Sequence, residues 1–238
     1  SNREFFTRYG IPARRLHFVP YCVDNAALQR QAATLGGRGR ELRAGFGIAD
    51  DAGPVVLFVG KLIPKKRPLL ALEAFARVRR ELPCALLVVG EGPLEGAMRA
   101  RVAADAIPDV HFAGFLNRGQ IAHAFAAADL FVLPSALHET WGLVVNEAMN
   151  FALPVVVSDK VGCASDLVRD GHNGFVVAAD QVSALTAAVR TLVERPALRR
   201  SMGARSRELI DRWHYGLAAD GIVQACQRVV ASRRAGRP

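Results

Sequence analysis

The chain has 238 residues, of which 51% are apolar and 22% are charged, with a formal net charge of +9. This composition supports a sizeable core and excludes a disordered chain, and no stretch reaches the roughly 18 uninterrupted apolar residues of a membrane span. Four cysteines without a CxxC pair favour free thiols over disulfides or a zinc site. The positive charge near the chain ends favours solvated helix faces and a basic tail, with anion attraction expected only beside strand ends.

The first fifty residues have an irregular pattern. A short helix is predicted to end at Gly10, a strand over 16–19 is stopped by Pro20, and residues 24–36 predict a helix. The glycine-rich run at 36–39 is the predicted domain boundary. The first residues contain no apolar signal-peptide core and no initiator methionine, so we expect a cytoplasmic chain that is a piece of a longer protein.

After this break, apolar strands alternate regularly with helices. The predicted strands are 55–59, 84–89, 110–112, 130–133, 155–157 and 175–177. The predicted helices are 67–82, 94–106, 120–127, 143–150, 164–168, 182–193, 196–211 and 213–232. This βαβ alternation predicts an α/β fold, a Rossmann-like open parallel sheet with helices on both faces.

Ligands bind at the carboxyl ends of the strands in such a sheet, so the segments that follow the strands are the candidates. The first of them, GKLIPKK, begins at Gly60 and contains Lys61 and Lys66. Ammonium groups neutralise a diphosphate and a glycine allows close backbone approach, while a solvated basic loop is the alternative. Gly90 opens GEGPL after the next strand, where a plain turn is the alternative to ligand contact. GEGPL misses the GxGxxG pattern by one residue, which argues against NAD.

The stretch after the fourth strand contains two carboxylates, Glu139 and Glu147, with Gly142 between them at a predicted helix start. A helix N-terminus holds phosphate through its unpaired N–H groups, and flanking carboxylates grip hydroxyls. Glu147 lies among apolar residues, where a charge without a partner is costly. The pattern predicts a site for a phosphorylated, sugar-like ligand. Solvated surface carboxylates and a glycosidase-type acid–nucleophile pair are the alternatives.

Other ligand classes are less well supported by the sequence. His138 is a candidate ligand contact, although a polar loop residue is the commoner outcome. No DxD motif and no His/Cys cluster with ligand spacing occurs, so no metal site is predicted. Aromatic and basic residues are not interleaved, so nucleic acid is not an expected partner.

Taken together, these segments resemble the retaining GT-B glycosyltransferases of the large "glycosyl transferases group 1" family (family 4). ETWGLVVNEAM carries the E-x7-E motif of that family at Glu139 and Glu147. Seven segments over roughly residues 50–215 follow the order and spacing of the family: GKLIPKK, VVGEGPL, VHFAGFL, ADLFVLPS, ETWGLVVNEAM, LPVVVSD and DGHNGFVV. Three departures are Lys61 where arginine is commoner, Ala152 where glycine is usual, and Tyr21-Cys22 in place of Asn-Gly.

The resemblance implies the donor-binding half of a two-domain enzyme. Residues 1–36 would end the acceptor domain and connect the domains, 37–212 would bind the nucleotide-sugar, and 213–238 would form the crossing helix and a basic tail. The implied enzyme is a hexosyltransferase-type transferase of polysaccharide biosynthesis. It uses an NDP-sugar with retention of configuration, without an essential metal or a separate cofactor.

The resemblance also implies a role for each matching residue. Lys61 and Lys66 match the basic pair that neutralises the leaving diphosphate, and Glu139 matches the carboxylate on the donor sugar. Glu147 matches the carboxylate on the ribose. Backbone contacts to the phosphates are implied at Gly142, Leu143 and Val144. Backbone contacts to the base are implied at Phe115 and Leu116. The other donor-binding positions that we predict are Gly60, Gly90 and Pro134.

The implied partners are a nucleotide-sugar, the chain's own N-terminal acceptor domain and an acceptor that is a glycan, a lipid-linked molecule or a small molecule. The expected location is the cytoplasm, and association with a membrane surface is left open. We expect this chain alone to bind nucleotide without transferring sugar. A non-catalytic nucleotide-binding or interaction module on the same fold is the alternative function.

Overall fold

A single parallel sheet organises the chain. The structure, a computed structural model, describes residues 2–136 and 139–235, and within them six strands pair in the order β3-β2-β1-β4-β5-β6. The strands are β1 (Val55–Val59), β2 (Ala85–Val89), β3 (Val110–Gly114), β4 (Leu130–Leu133), β5 (Val155–Ser158) and β6 (Gly174–Val177). Every pairing in the sheet is parallel. The predicted Rossmann-like α/β fold is confirmed.

Helices cover both faces of this sheet. They are α1 (Asn2–Arg8), α2 (Asn25–Leu35), α3 (Gly39–Gly45), α4 (Pro68–Arg79), α5 (Glu95–Ala104), α6 (Ile121–Ala127), α7 (Leu143–Asn150), α8 (Ala164–Leu167), α9 (Val182–Glu194), α10 (Pro196–Ile210) and α11 (Tyr215–Ala235). No helix of the described part is both long and apolar enough to cross a membrane.

Alternation of side chains along the strands produces two large apolar clusters. Val55, Leu57 and Val59 of β1 pack with residues of α6 and α7 on one face. Val56 and Phe58 pack with residues of α4 and α9 on the other. Because successive side chains of a strand point to opposite faces, a strand covered by helices on both sides is apolar throughout. This explains why all five residues of β1 are buried.

The predicted strand over 16–19 is wrong. These residues lie outside the sheet and pair with no strand among the described residues. Phe18 instead meets the Trp213 ring edge-on, with 5.3 Å between ring centroids. Phe18 and Val19 nevertheless stay 58% and 42% exposed, so the apolar character of this segment does not reflect burial in the sheet domain.

The glycine-rich run that suggested a domain boundary leads directly into α3, a helix that the sequence pattern did not predict. Just before it, α2 is attached to the sheet domain through buried amides. Asn150 donates a hydrogen bond of 2.9 Å to the Asn25 side chain, and Asn25 in turn donates to the Ile210 carbonyl. The division at residues 36, 37, 212 and 213 stays a prediction.

Candidate functional site

The loops that follow β1 and β4 meet at the middle of the sheet. These two strands are neighbours, and the chain leaves them toward opposite edges, which creates the crevice where open α/β sheets bind ligands. The Ala136 N–H donates to the Lys65 carbonyl over 2.7 Å, and this bond joins the two loops. Segments that are seventy residues apart in the chain therefore form one candidate site.

Lys66 and Glu139, two of the predicted catalytic residues, form an ion pair in this crevice. Lys66 Nζ lies 2.5 Å from Glu139 Oε2, and the two side chains are only 16% and 9% exposed. The Ser135 hydroxyl donates to the same oxygen over 3.1 Å. The structure thus brings together a lysine and a carboxylate for which the sequence predicted separate contacts with a ligand.

Lys61, the third predicted catalytic residue, is exposed and forms no ion pair with any described residue. It follows Gly60 at the end of β1, whereas Lys66 lies in a short 3-10 turn, Pro64–Lys66. The aliphatic stem of Lys66 passes over Gly60, since a Cβ atom added there would lie 3.6 Å from Lys66 Cδ. Of the two lysines predicted to contact the diphosphate, Lys61 is therefore unpaired among the described residues and Lys66 is paired.

The ends of β1 and β2 approach each other very closely at two of the predicted glycines. A Cβ atom on Gly90, which has φ +127°, would lie 2.1 Å from the carbonyl oxygen of Gly60. Backbone atoms cannot yield to such a contact, so a side chain is excluded at position 90 by packing. Packing gives a structural reason for Gly90, while its role in donor binding stays a prediction.

The start of α7 is shaped by Gly142. This buried glycine has φ +92°, and a Cβ atom on it would lie 3.1 Å from Val161 Cγ1. Among the described residues, no acceptor receives the backbone N–H of Gly142, Leu143 or Val144. Unpaired N–H groups at a helix start attract anions, so this turn has the chemistry to bind phosphate.

Glu147 lies one turn further along α7 and is half-buried. Side chains of a helix lean toward its N-terminus, so this carboxylate leans toward the start of α7. Burial raises the pKa of Glu147, and the charge of Arg118 opposes that rise. Within the described residues Glu147 has no hydrogen bond or ion pair, which leaves a carboxylate available for ligand hydroxyls.

The loop after β3 approaches the same edge of the sheet. The Phe115 N–H donates to Glu91 Oε1 over 3.3 Å, and the Phe115 ring is 70% exposed. Leu116 packs against the apolar core. The segment that contains Glu91 was expected at this edge because it follows β2, whereas Arg118 was missed as a neighbour of Glu147. The position of Arg118 in the loop after β3 was the available signal.

The remaining predicted positions are placed as follows. Pro134 is buried directly after β4. The proposed contact of His138 lies outside the described residues. No group of three or more His, Cys, Asp or Glu residues that could hold a metal ion occurs in the described part of the chain.

A cleft of about 810 Å³ adjoins this site, and no motif in the sequence predicted it. It lies between the segment around Phe18 and the loops that contain Thr140 and Lys160. The Gly162 N–H on its wall donates to the Glu139 carbonyl over 2.9 Å, so the cleft and the candidate site share a boundary.

Comparison with known proteins identifies one family. The family model "Glycosyl transferases group 1" matches residues 41–209. D-inositol 3-phosphate glycosyltransferase from Kineococcus radiotolerans is 31% identical over 255 residues, which cover 100% of this chain and 57% of that protein. GDP-mannose-dependent alpha-(1-6)-phosphatidylinositol monomannoside mannosyltransferase from Mycolicibacterium smegmatis is 31% identical, over 90% of this chain and 56% of that protein. The chain thus spans a little over half the length of these relatives.

Solved structures show the same fold. Anabaena Alr3699/HepE, in complex with UDP and glucose, matches 98% of this chain and 60% of its own, with a TM-score of 0.71 and 21% identity.

Proposed function

Because the chain belongs to the glycosyl transferases group 1 family, we propose that it is the donor-binding part of a retaining glycosyltransferase whose donor is a nucleoside diphosphate sugar. The observation that carries this proposal is the grouping of the Lys66–Glu139 pair with the open start of α7 and with Glu147. Cations, unpaired N–H groups and carboxylates at one edge match a ligand that has both phosphates and hydroxyls.

The diphosphate binds at the start of α7. The N–H groups of Leu143 and Val144 donate to its oxygens, and the partial positive charge of the helix terminus favours its negative charge. Lys61 supplies a free ammonium group, and Lys66 adds a second from inside the crevice. These charges take the place of an essential metal ion.

The nucleoside end of the donor extends along α7. The Glu147 carboxylate accepts hydrogen bonds from the ribose hydroxyls, which supply the partners that it lacks in the ligand-free chain. The base contacts the backbone at Phe115 and Leu116, next to the Glu91 carboxylate.

The sugar end lies against Glu139, which orients the ring through its hydroxyls. In the transfer, the bond between the anomeric carbon and the diphosphate breaks with its electron pair on the diphosphate. The acceptor oxygen bonds to that carbon on the same face and gives up its proton to the departing phosphate oxygen. Stabilisation of charge on the leaving oxygen is commonly the largest catalytic contribution, and here it comes from Lys61, Lys66 and the N–H groups of α7.

The acceptor is a glycan, a lipid-linked molecule or a small molecule, and its contacts lie largely in an N-terminal acceptor domain. The phosphatidylinositol monomannoside in the name of one relative supports a lipid-linked acceptor. With such an acceptor, we propose a role in glycan synthesis and peripheral contact with a membrane. The chain spans just over half of such relatives, so we expect it alone to bind the donor without transferring sugar.

Calorimetry of the 238-residue chain with UDP, GDP, ADP and their sugars tests the proposal. One nucleotide should bind at micromolar concentration, and Glu147→Ala or the double substitution Lys61→Ala/Lys66→Ala should remove that binding. Glu41→Ala, at an exposed carboxylate of α3 that is paired with Arg38, is the matched control and should have no effect. Absence of binding to every nucleotide, or binding that is unaffected by Glu147→Ala, would refute the proposal.

A further inference from the structure

Ser135 lies fully buried directly behind the candidate site, and the proposed function gives it no role. Its hydroxyl donates a hydrogen bond of 3.1 Å to Glu139 Oε2. Lys66 Nζ approaches the same oxygen to 2.5 Å. A neutral and a charged donor therefore converge on one atom of the carboxylate.

This convergence makes the two oxygens of Glu139 unequal. Oε2 receives two donors, whereas Oε1 receives none from any described residue. A carboxylate that is held by two donors on one oxygen has a fixed orientation, because turning it would break both bonds in a site with little access to water. Oε1 is thereby left as the oxygen that a ligand hydroxyl can reach.

Ser135 is itself held in place from two sides. The Ser158 hydroxyl at the end of β5 donates to the Ser135 carbonyl, and Ser158 is also buried. The next residue, Ala136, donates its N–H to the Lys65 carbonyl over 2.7 Å. Hydrogen bonds to the end of β5 and to the loop after β1 thus fix the serine whose hydroxyl holds the carboxylate.

We propose that Ser135 is the positioning residue for Glu139: its hydroxyl and the Lys66 ammonium bind Oε2 and turn Oε1 toward a hydroxyl of the donor sugar. This inference rests on the proposed function, since it requires that the sugar lies against Glu139. It predicts that loss of the Ser135 hydroxyl weakens recognition of the sugar and leaves recognition of the nucleoside diphosphate intact.

The test compares Ser135→Ala with Ser206→Ala by calorimetry, using the preferred nucleotide with and without its sugar. Ser206 is the matched control, because it is also fully buried and hydrogen-bonded, to the Asn173 carbonyl, but lies in α10. Ser135→Ala should change the affinity for the nucleoside diphosphate less than twofold and weaken the affinity for the nucleotide-sugar about fivefold to tenfold. Ser206→Ala should change the ratio of the two affinities less than twofold.

A double-mutant cycle separates positioning from a general structural role. In a Glu139→Ala background, Ser135→Ala should have no further effect on the affinity for the nucleotide-sugar. An equal loss for nucleotide and nucleotide-sugar, or an undiminished loss without Glu139, would overturn the inference.

The same cycle on urea unfolding of the ligand-free chain keeps this test separate from the proposed function. There, the destabilisation by Ser135→Ala should largely disappear in the Glu139→Ala background, and full additivity would overturn the inference even if nucleotide binds. If the wild-type chain binds no nucleotide, the proposed function fails and the inference about the sugar fails with it, while coupling in the unfolding cycle would identify the contact as structural.

Discussion

The ion pair between Lys66 and Glu139 leads to the sharpest prediction about stability. Substitution of Lys66 by Met keeps the aliphatic stem over Gly60 and removes the ammonium group, so the Glu139 carboxylate, at 9% exposure, loses its ionic partner. Loss of one partner from a buried ion pair lowers the free energy of unfolding by about 3–5 kcal/mol, because the remaining charged group is removed from water without compensation. Ser135 still donates to that carboxylate, so we expect a value near the lower end, about 3 kcal/mol.

The pair between Arg38 and Glu41 provides a matched control. Its N–O distance is 2.6 Å, nearly the same, but its side chains are 48% and 64% exposed. Arg38→Met should therefore cost less than about 1 kcal/mol. Urea unfolding of the ligand-free chain, followed by circular dichroism, measures both values. Equal costs for Lys66→Met and Arg38→Met would show that burial does not set the strength of the pair and would refute the reasoning.

Three further predictions concern single positions. Glu147→Gln should stabilise the ligand-free chain by about 0.5–2 kcal/mol at neutral pH, and calorimetry should show that it no longer binds nucleotide. Because burial raises the pKa of Glu147, the stability of the wild-type chain should fall as pH rises from the ordinary glutamate pKa through the raised value, and the variant should lack this pH dependence. Gly90→Ala places a methyl group against the Gly60 carbonyl and should cost about 3 kcal/mol or more in urea unfolding, whereas Gly96→Ala, with open space in α5, should stabilise by about 0.5–1 kcal/mol. Ala152 has φ +53°, so Ala152→Gly should raise the free energy of unfolding by about 0.5 kcal/mol, because relief of left-handed strain exceeds the added freedom of the unfolded chain. An unchanged or lower urea midpoint would contradict this prediction.

The strands β1, β2, β4 and β5 could be predicted because a strand that is buried on both faces is apolar, and turn residues separate it from the next helix. The edge strands β3 and β6 are only partly buried and could be predicted from the regular alternation of strands and helices. The apolar criterion failed at residues 16–19, where an apolar run packs against Trp213 without a strand to pair with. Phe18 and Val19 are largely exposed, so an apolar composition by itself establishes neither that a segment is buried nor that its backbone pairs with a strand.

The candidate site could be predicted as a set of positions but not as a set of contacts. Parallel strands place Lys66 and Glu139 at one edge, and this follows from the order of elements. Their direct pairing depends on the course of two loops, which is set by the bond between Ala136 and Lys65. Arg118 could not be predicted either, because its approach to Glu147 also depends on the course of a loop, the one after β3.

Binding of a nucleoside diphosphate by the start of α7 and Glu147 is best tested by a crystal structure of the 238-residue chain with the tightest-binding nucleotide. We expect diphosphate oxygens within hydrogen-bond distance of the Leu143 and Val144 N–H groups, and ribose hydroxyls on the Glu147 carboxylate. A nucleotide bound instead in the neighbouring 810 Å³ cleft, with α7 and Glu147 free of contact, would show that the proposed donor site is wrong.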